Sequence, residues 1–218
     1  MRALLALALL APSSSAALAG TISGSVAVTD KGGRPASDLQ ETVVYLEGVK
    51  AKPKPFTASI VMRGKAFQPH LVVVPVGSSV AFPNEDPILH NAFSVSGENR
   101  FDLELYKRPQ SKSQTFQKPG VVRVYCNIHP QMSAIVLVAD SAYFAKAGAD
   151  GAFSIEDVPA GSYVLRAWHE RGGEASKELT VPAEGVVRAQ LALDASAFKR
   201  VQHKNKFGKD YSASGDKY

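Results

Sequence analysis

Short apolar bursts closed by turn residues constrain this chain more than any other feature. The breaks fall at Lys31-Gly32-Gly33, Val76-Gly77-Ser78, Lys118-Pro119-Gly120, Asp150-Gly151, Pro159-Ala160-Gly161 and Arg171-Gly172-Gly173. Gly and Pro at these points stop a helix and suit tight turns between strands. No segment beyond the first 19 residues keeps a 3.6-residue apolar period. The pattern predicts an all-β chain built as β-sandwiches.

The first 19 residues read differently. Arg2, an apolar run from Ala3 to Ala11, then Ser13-Ser14-Ser15 and Ala17-Leu18-Ala19, follow the order of a secretory signal peptide, with cleavage expected before Gly20. The run is too short to span a bilayer, and no later segment is long enough. A single Arg2 argues against twin-arginine export. The expectation is an unanchored protein exported unfolded to the periplasm. The 218 residues carry one cysteine, which excludes an intrachain disulfide and leaves a lone thiol in an oxidising space.

That thiol sits in the most specific stretch of the chain, Cys126-Asn127-Ile128-His129-Pro130-Gln131-Met132. Alternation over 121–125 places Val122, Val124 and Cys126 on the apolar face of a strand. Asn127 then opens a tight loop carrying His129 and Met132 before the apolar run 134–138. His90 lies upstream, beyond the strand-to-turn stretch Val80-Ala81-Phe82-Pro83-Asn84-Glu85-Asp86-Pro87, and is followed by Asn91. A thiolate, two imidazoles and a weak axial thioether form the ligand set of a blue-copper site. His90, Cys126, His129 and Met132 are therefore the candidate ligands of one mononuclear copper. Zinc also takes Cys and His, but a fourth ligand of the Met type selects copper. Asn91 is placed to hydrogen-bond the loop around Cys126 and hold the two ligand segments together, with Asn127 as a further supporting residue. His70 and Met62 form a candidate second copper site, the alternatives being a surface His and a core Met.

With those residues in view, the middle block resembles the cupredoxins, and its C-x-x-H-x-x-M spacing is similar to the short-loop, amicyanin-like members. It is also similar to exported cupredoxin-domain proteins often labelled methylamine utilisation proteins. The resemblance implies a Greek-key sandwich carrying single electrons, with the imidazole edge of His129 facing solvent in a patch that includes Pro130 and Gln131. A second resemblance lies in Asp150-Gly151-Ala152-Phe153-Ser154-Ile155 and Val158-Pro159-Ala160-Gly161-Ser162-Tyr163-Val164-Leu165, which is similar to the carboxypeptidase regulatory-like domain, a small transthyretin-like sandwich. Gly20 to Val26, Gly33-Arg34-Pro35 and Val43 to Leu46 look like its first strands. The division expected is a signal peptide 1–19, a cupredoxin unit 51–140 inserted between the sandwich halves 20–50 and 141–195, and a basic tail 196–218. The alternative is that 20–50 only add strands to the middle block.

Of the net charge of +5, Arg2 contributes +1 and the tail +4. Segment 196–218 holds Lys199, Arg200, Lys204, Lys206, Lys209 and Lys217 against Asp210 and Asp216, so 20–195 are neutral. The body offers no nucleic-acid surface. The tail suits docking to an acidic partner, or stays solvated. Enzymatic readings find no support. Cys126 is flanked by Tyr125 and Asn127 rather than by the histidines a multicopper oxidase needs. One thiol excludes a dithiolate binuclear centre, and no nucleophile elbow or phosphate loop is present. The expected function is a monomeric periplasmic carrier of single electrons with a transient protein redox partner. The alternatives are a copper chaperone or store, or a binding module in which the regulatory-like sandwich leads.

Overall fold

The computed structural model describes residues 19–49 and 51–211. The expected signal segment therefore lies, but for Ala19, outside the described residues. The N-terminal part forms β1 (Ala19–Thr29) and β2 (Thr42–Glu47). The middle part forms β3 (Thr57–Ser59), β4 (Val61–Met62), β5 (Phe67–Gln68), β6 (Leu71–Pro75), β7 (Ser79–Pro83), β8 (Phe93–Ser94), β9 (Phe101–Asp102), β10 (Ser111–Thr115), β11 (Gly120–Tyr125) and β12 (Ser133–Ala139). The last part forms β13 (Phe144–Lys146), β14 (Ala152–Pro159), β15 (Gly161–His169), β16 (Gly173–Val181) and β17 (Val186–Asp194). Single 3₁₀ turns at Leu39–Glu41 and Gly97–Asn99 are the helical elements among the described residues.

The chain is all-β, in two sandwiches. In the first, β1 lies between β14 (antiparallel) and β17 (parallel), and this sheet faces β13-β2-β15-β16. Ile22, Val26, Val44, Leu46, Phe153, Ile155, Leu165 and Leu191 point inward from both sheets as the core. The sequence explains the close joints. Gly24 lets β1 and β17 touch, since a Cβ there would lie 1.8 Å from the Ala189 carbonyl oxygen. Gly151 turns at φ +80° against the Val26 carbonyl, where a side chain does not fit. Tyr163 Oη donates to the Pro159 carbonyl at 3.1 Å and ties down the β14–β15 turn.

The second sandwich faces β6-β12-β11-β8-β9 against β10-β7-β3, with the β4-β5 ribbon beside them. Its core holds Met62, Phe67, Val74, Val80, Phe82, Phe101, Phe116, Val122, Val124 and Val136. β12 is buried on both faces. Ala134, Val136 and Val138 enter this core, while Ile135, Leu137 and Ala139 meet Val43, Leu71 and Trp168 in a third apolar cluster between the sandwiches. The unbroken apolar run at 134–138 thus belongs to a strand with no solvent face. A polar bridge edges this contact. His70 Nε2 meets Glu170 Oε2 at 2.7 Å, and Arg123 donates to Glu170 Oε1 at 2.9 Å.

Candidate metal centre

Two backbone devices bring the ligand segments together. β11 delivers Val122, Val124 and Cys126 to the core, all fully buried, and pairs with β12 from Gly120↔Val138 to Tyr125↔Ser133. The loop between these strands is closed by Cys126 N–H to Met132 O at 3.3 Å and Met132 N–H to His129 O at 3.0 Å. The second segment follows β7. His90 is clamped through its backbone to Tyr106, N to O at 3.1 Å and O to N at 2.9 Å. Asn84 Oδ1 accepts the Asp86 amide at 2.9 Å, and its Nδ2 donates to Ile88 O and Tyr106 O, both at 3.0 Å. This Asn-centred turn aims the Asp86 carboxylate back at His90.

The donor atoms converge. His90 Nδ1 and His129 Nδ1 are 3.0 Å apart, and Cys126 Sγ lies 3.9 Å from the first and 3.6 Å from the second. A point equidistant from the corners of such a triangle lies ~2.1 Å from each, close to metal–imidazole and slightly short of metal–thiolate bond lengths. Met132 is fully buried in the same core cluster as Cys126. The donor set and its spacing fit one small, soft, nitrogen- and sulfur-bound cation.

The protonation states follow from the contacts. Asp86 Oδ2 meets His90 Nε2 at 2.8 Å, while Gly64 N–H donates to Oδ1 at 2.7 Å and Lys65 N–H to Oδ2 at 2.9 Å. An ionised carboxylate only accepts, so His90 carries its proton on Nε2 and turns the Nδ1 lone pair toward Cys126. Burial raises the Asp86 carboxyl, but the Lys65 and Gly64 amides and the His90 ring outweigh it and hold it below its ordinary value. Burial pushes the Cys126 thiol up, with the backbone N–H groups of Asn91, Ile128 and His129 pulling the other way. A cation entering here displaces the thiol proton.

Asn91 Oδ1 accepts the Asn127 amide at 2.7 Å and so links the two ligand segments directly. Asp86 and Asn84 were missed by the sequence reading. The available signal was a carboxylate four residues before His90 in a turn, which reads by default as turn chemistry.

Two expectations are corrected. Where the resemblance implies a solvent-facing imidazole edge, His129 is a buried residue, only 4% exposed. The segment after β17 is not simply solvated either, since Tyr211 Oη donates to the Cys126 carbonyl at 2.8 Å and the Lys206 amide to Asn127 Oδ1 at 2.9 Å. Pro130 and Gln131 border a cleft of about 800 Å³ whose far wall is Phe198 to His203. His70 has both ring nitrogens engaged, by Glu170 and by the Ser133 carbonyl at 3.1 Å, and Met62 is sealed in the core. The two do not form a second cluster. His169 is a packed residue whose Nδ1 accepts the Arg171 and Gly172 amides.

No family model matches the chain, and no curated protein matches it. Solved structures do. The chain is similar to a purple cupredoxin from Nitrosopumilus maritimus at 23% identity and a TM-score of 0.35, over 38% of this chain and 99% of that one. It is similar to the Cu-containing nitrite reductase (NirK) from Thermus scotoductus SA-01 at 30% identity and a TM-score of 0.37, over 43% of this chain but only 25% of that one. It is also similar to a reduced-state amicyanin mutant at 26% identity and a TM-score of 0.35, covering 38% and 82% of the two chains. Among the described residues, no helix is long and apolar enough to cross a membrane.

Proposed function

We propose that this chain is an exported, periplasmic type 1 copper protein that carries single electrons between redox partners and catalyses no reaction of its own. One observation carries the reading: His90 Nδ1, Cys126 Sγ and His129 Nδ1 lie within 4.8 Å of one another, all in buried residues. Bound copper supplies a one-electron couple. Cys126 gives the thiolate, His90 and His129 the two imidazoles, and Met132 the weak fourth donor. Asp86 fixes the tautomer of His90, and Asn91 fixes the distance between the ligand segments. Core packing excludes water, and strand pairing on both sides of the loop limits how far the donors move when charge changes. We read 51–140 as the copper unit and 20–50 with 141–195 as a regulatory-like sandwich that braces it through Trp168 and β12.

The near-complete burial of His129 favours a second reading, a chaperone or store that holds Cu(I). One experiment separates the two. The purified mature chain is titrated with Cu(II), reduced, reoxidised and assayed for retained metal. An intense blue colour that bleaches and returns with the metal still bound supports the carrier. A colourless protein that yields Cu(I) to an acceptor contradicts it.

A further inference from the structure

After β17 the chain crosses the start of the ligand loop and touches it at Tyr125, Cys126 and Asn127. Tyr211 holds the Cys126 carbonyl, Lys206 holds Asn127, and His203 stacks on Tyr125 with ring centroids 3.9 Å apart and planes 19° apart. Lys206 Nζ is further fixed by Asp102 at 2.6 Å and Glu104 at 3.0 Å, and Tyr211 Oη lies 3.1 Å from His203 Nδ1. The segment is thus a strap seated over the metal centre. Lys199, Arg200, Lys204 and Lys209 on it are exposed and make no ion pair among the described residues. Apolar side chains sit between them: Val201 is 83% exposed and Phe207 70%. Residues 20–195 are net neutral, so the excess positive charge of the chain beyond residue 19 is carried by the segment that forms this strap.

We propose that this strap is the docking surface for the redox partner, a basic and partly apolar face fitted to an acidic patch on a one-electron redox protein. The proposal rests on the copper-carrier reading and names its partner by charge. Cations interleaved with exposed Val and Phe suit a protein surface, where positive charge speeds encounter and apolar contact completes a small interface. His203 on Tyr125 brings that surface to van der Waals distance of the residue bonded to Cys126. In the encounter the reduced partner gives up one electron to the Cu(II) form, leaving Cu(I), and no bond or proton moves.

The test compares the copper-loaded chain with a variant carrying Lys199→Gln, Arg200→Gln, Lys204→Gln and Lys209→Gln. Stopped-flow oxidation of the Cu(I) form is measured with anionic hexacyanoferrate(III) and with a cationic tris(phenanthroline)cobalt(III) complex, at low and high salt. The native chain is expected to favour the anionic oxidant at low salt, and the variant to lose about tenfold of that preference, within the range of electrostatic steering. Equal preference in both proteins, with the blue spectrum intact, overturns the docking surface and leaves the carrier reading standing. Absence of a blue spectrum in the native chain removes the carrier reading, and the proposal with it. A second readout needs no metal. In a chain ending at Ala195, amide hydrogen exchange at Asn127 to Met132 is expected to quicken at least tenfold, and unchanged exchange overturns the seated strap.

Discussion

Replacing Asp86 with Asn keeps the volume of the side chain and removes its charge. The carboxylate accepts from Gly64 N–H, Lys65 N–H and His90 Nε2–H at 2.7, 2.9 and 2.8 Å, and its side chain is only 11% exposed. Asparagine offers one oxygen and one NH₂. With the oxygen on the Gly64 side, the NH₂ meets the Lys65 amide and the His90 N–H; turned over, it meets the Gly64 amide. In the first arrangement the fully buried His90 N–H is stranded, at a cost of ~1–3 kcal/mol; in the second only the amide of the exposed Gly64 is, and in both the surviving bonds lose charge assistance worth about 1 kcal/mol. Asp86→Asn should therefore destabilise the metal-free chain by ~1–4 kcal/mol. With the NH₂ on the His90 side, His90 can keep that bond only by moving its proton to Nδ1, the atom that faces the site; turned over, the amide oxygen still holds the His90 N–H, but without the charge that strengthens it. Copper affinity should fall by about 10–100-fold, as for other partners of metal-bound His. Urea denaturation of the metal-free chain measures the first effect, and competition with a chromophoric Cu(I) chelator measures the second. A stability change under about 0.5 kcal/mol, the size of an ordinary surface substitution, together with an affinity change under twofold, would refute the reasoning.

Asn91→Ala should strand the Asn127 amide and cost ~1–3 kcal/mol, seen as a lower urea midpoint at unchanged slope. Trp168→Ala should remove the largest side chain from the cluster joining the sandwiches and cost ~3–5 kcal/mol by thermal or chemical unfolding; a cost under ~1 kcal/mol would contradict tight docking of the two units. The His70–Glu170 pair sets a pH window. The bond to Glu170 raises His70 above its ordinary 6.5, so that contribution is full below 6.5 and fades as pH rises through the raised value. Burial raises Glu170, but His70 and Arg123 outweigh it and hold it below its ordinary 4.5, so its contribution is full above 4.5 and fades as pH falls through the lowered value. Stability from this pair should therefore plateau between those two pH values, and Glu170→Gln should flatten the profile.

Much of the site was legible because its geometry is local. Val122, Val124 and Cys126 share a face by strand alternation alone, and the three-residue steps from Cys126 to His129 to Met132 fit one hairpin loop. Asn91 was readable as the polar neighbour of a candidate ligand. What stayed hidden depends on tertiary placement. Asp86 reaches His90 only because Asn84 builds a turn that the β4-to-β5 loop then caps through Gly64 and Lys65. Edge strand β10, Ser111–Thr115, carries no apolar alternation and forms by pairing with β7. Residues 198–211 have the composition of a solvated tail, and their position is set by His203, Lys206 and Tyr211, three isolated contacts with no periodic signature.

X-ray absorption at the copper edge, on the chain loaded with one equivalent of copper and on its Cys126→Ser variant, addresses the centre directly. The account predicts a first shell of one thiolate sulfur and two imidazole nitrogens in the native chain, with the sulfur lost in the variant. A native spectrum showing only nitrogen and oxygen donors, or one that the variant reproduces, would contradict it.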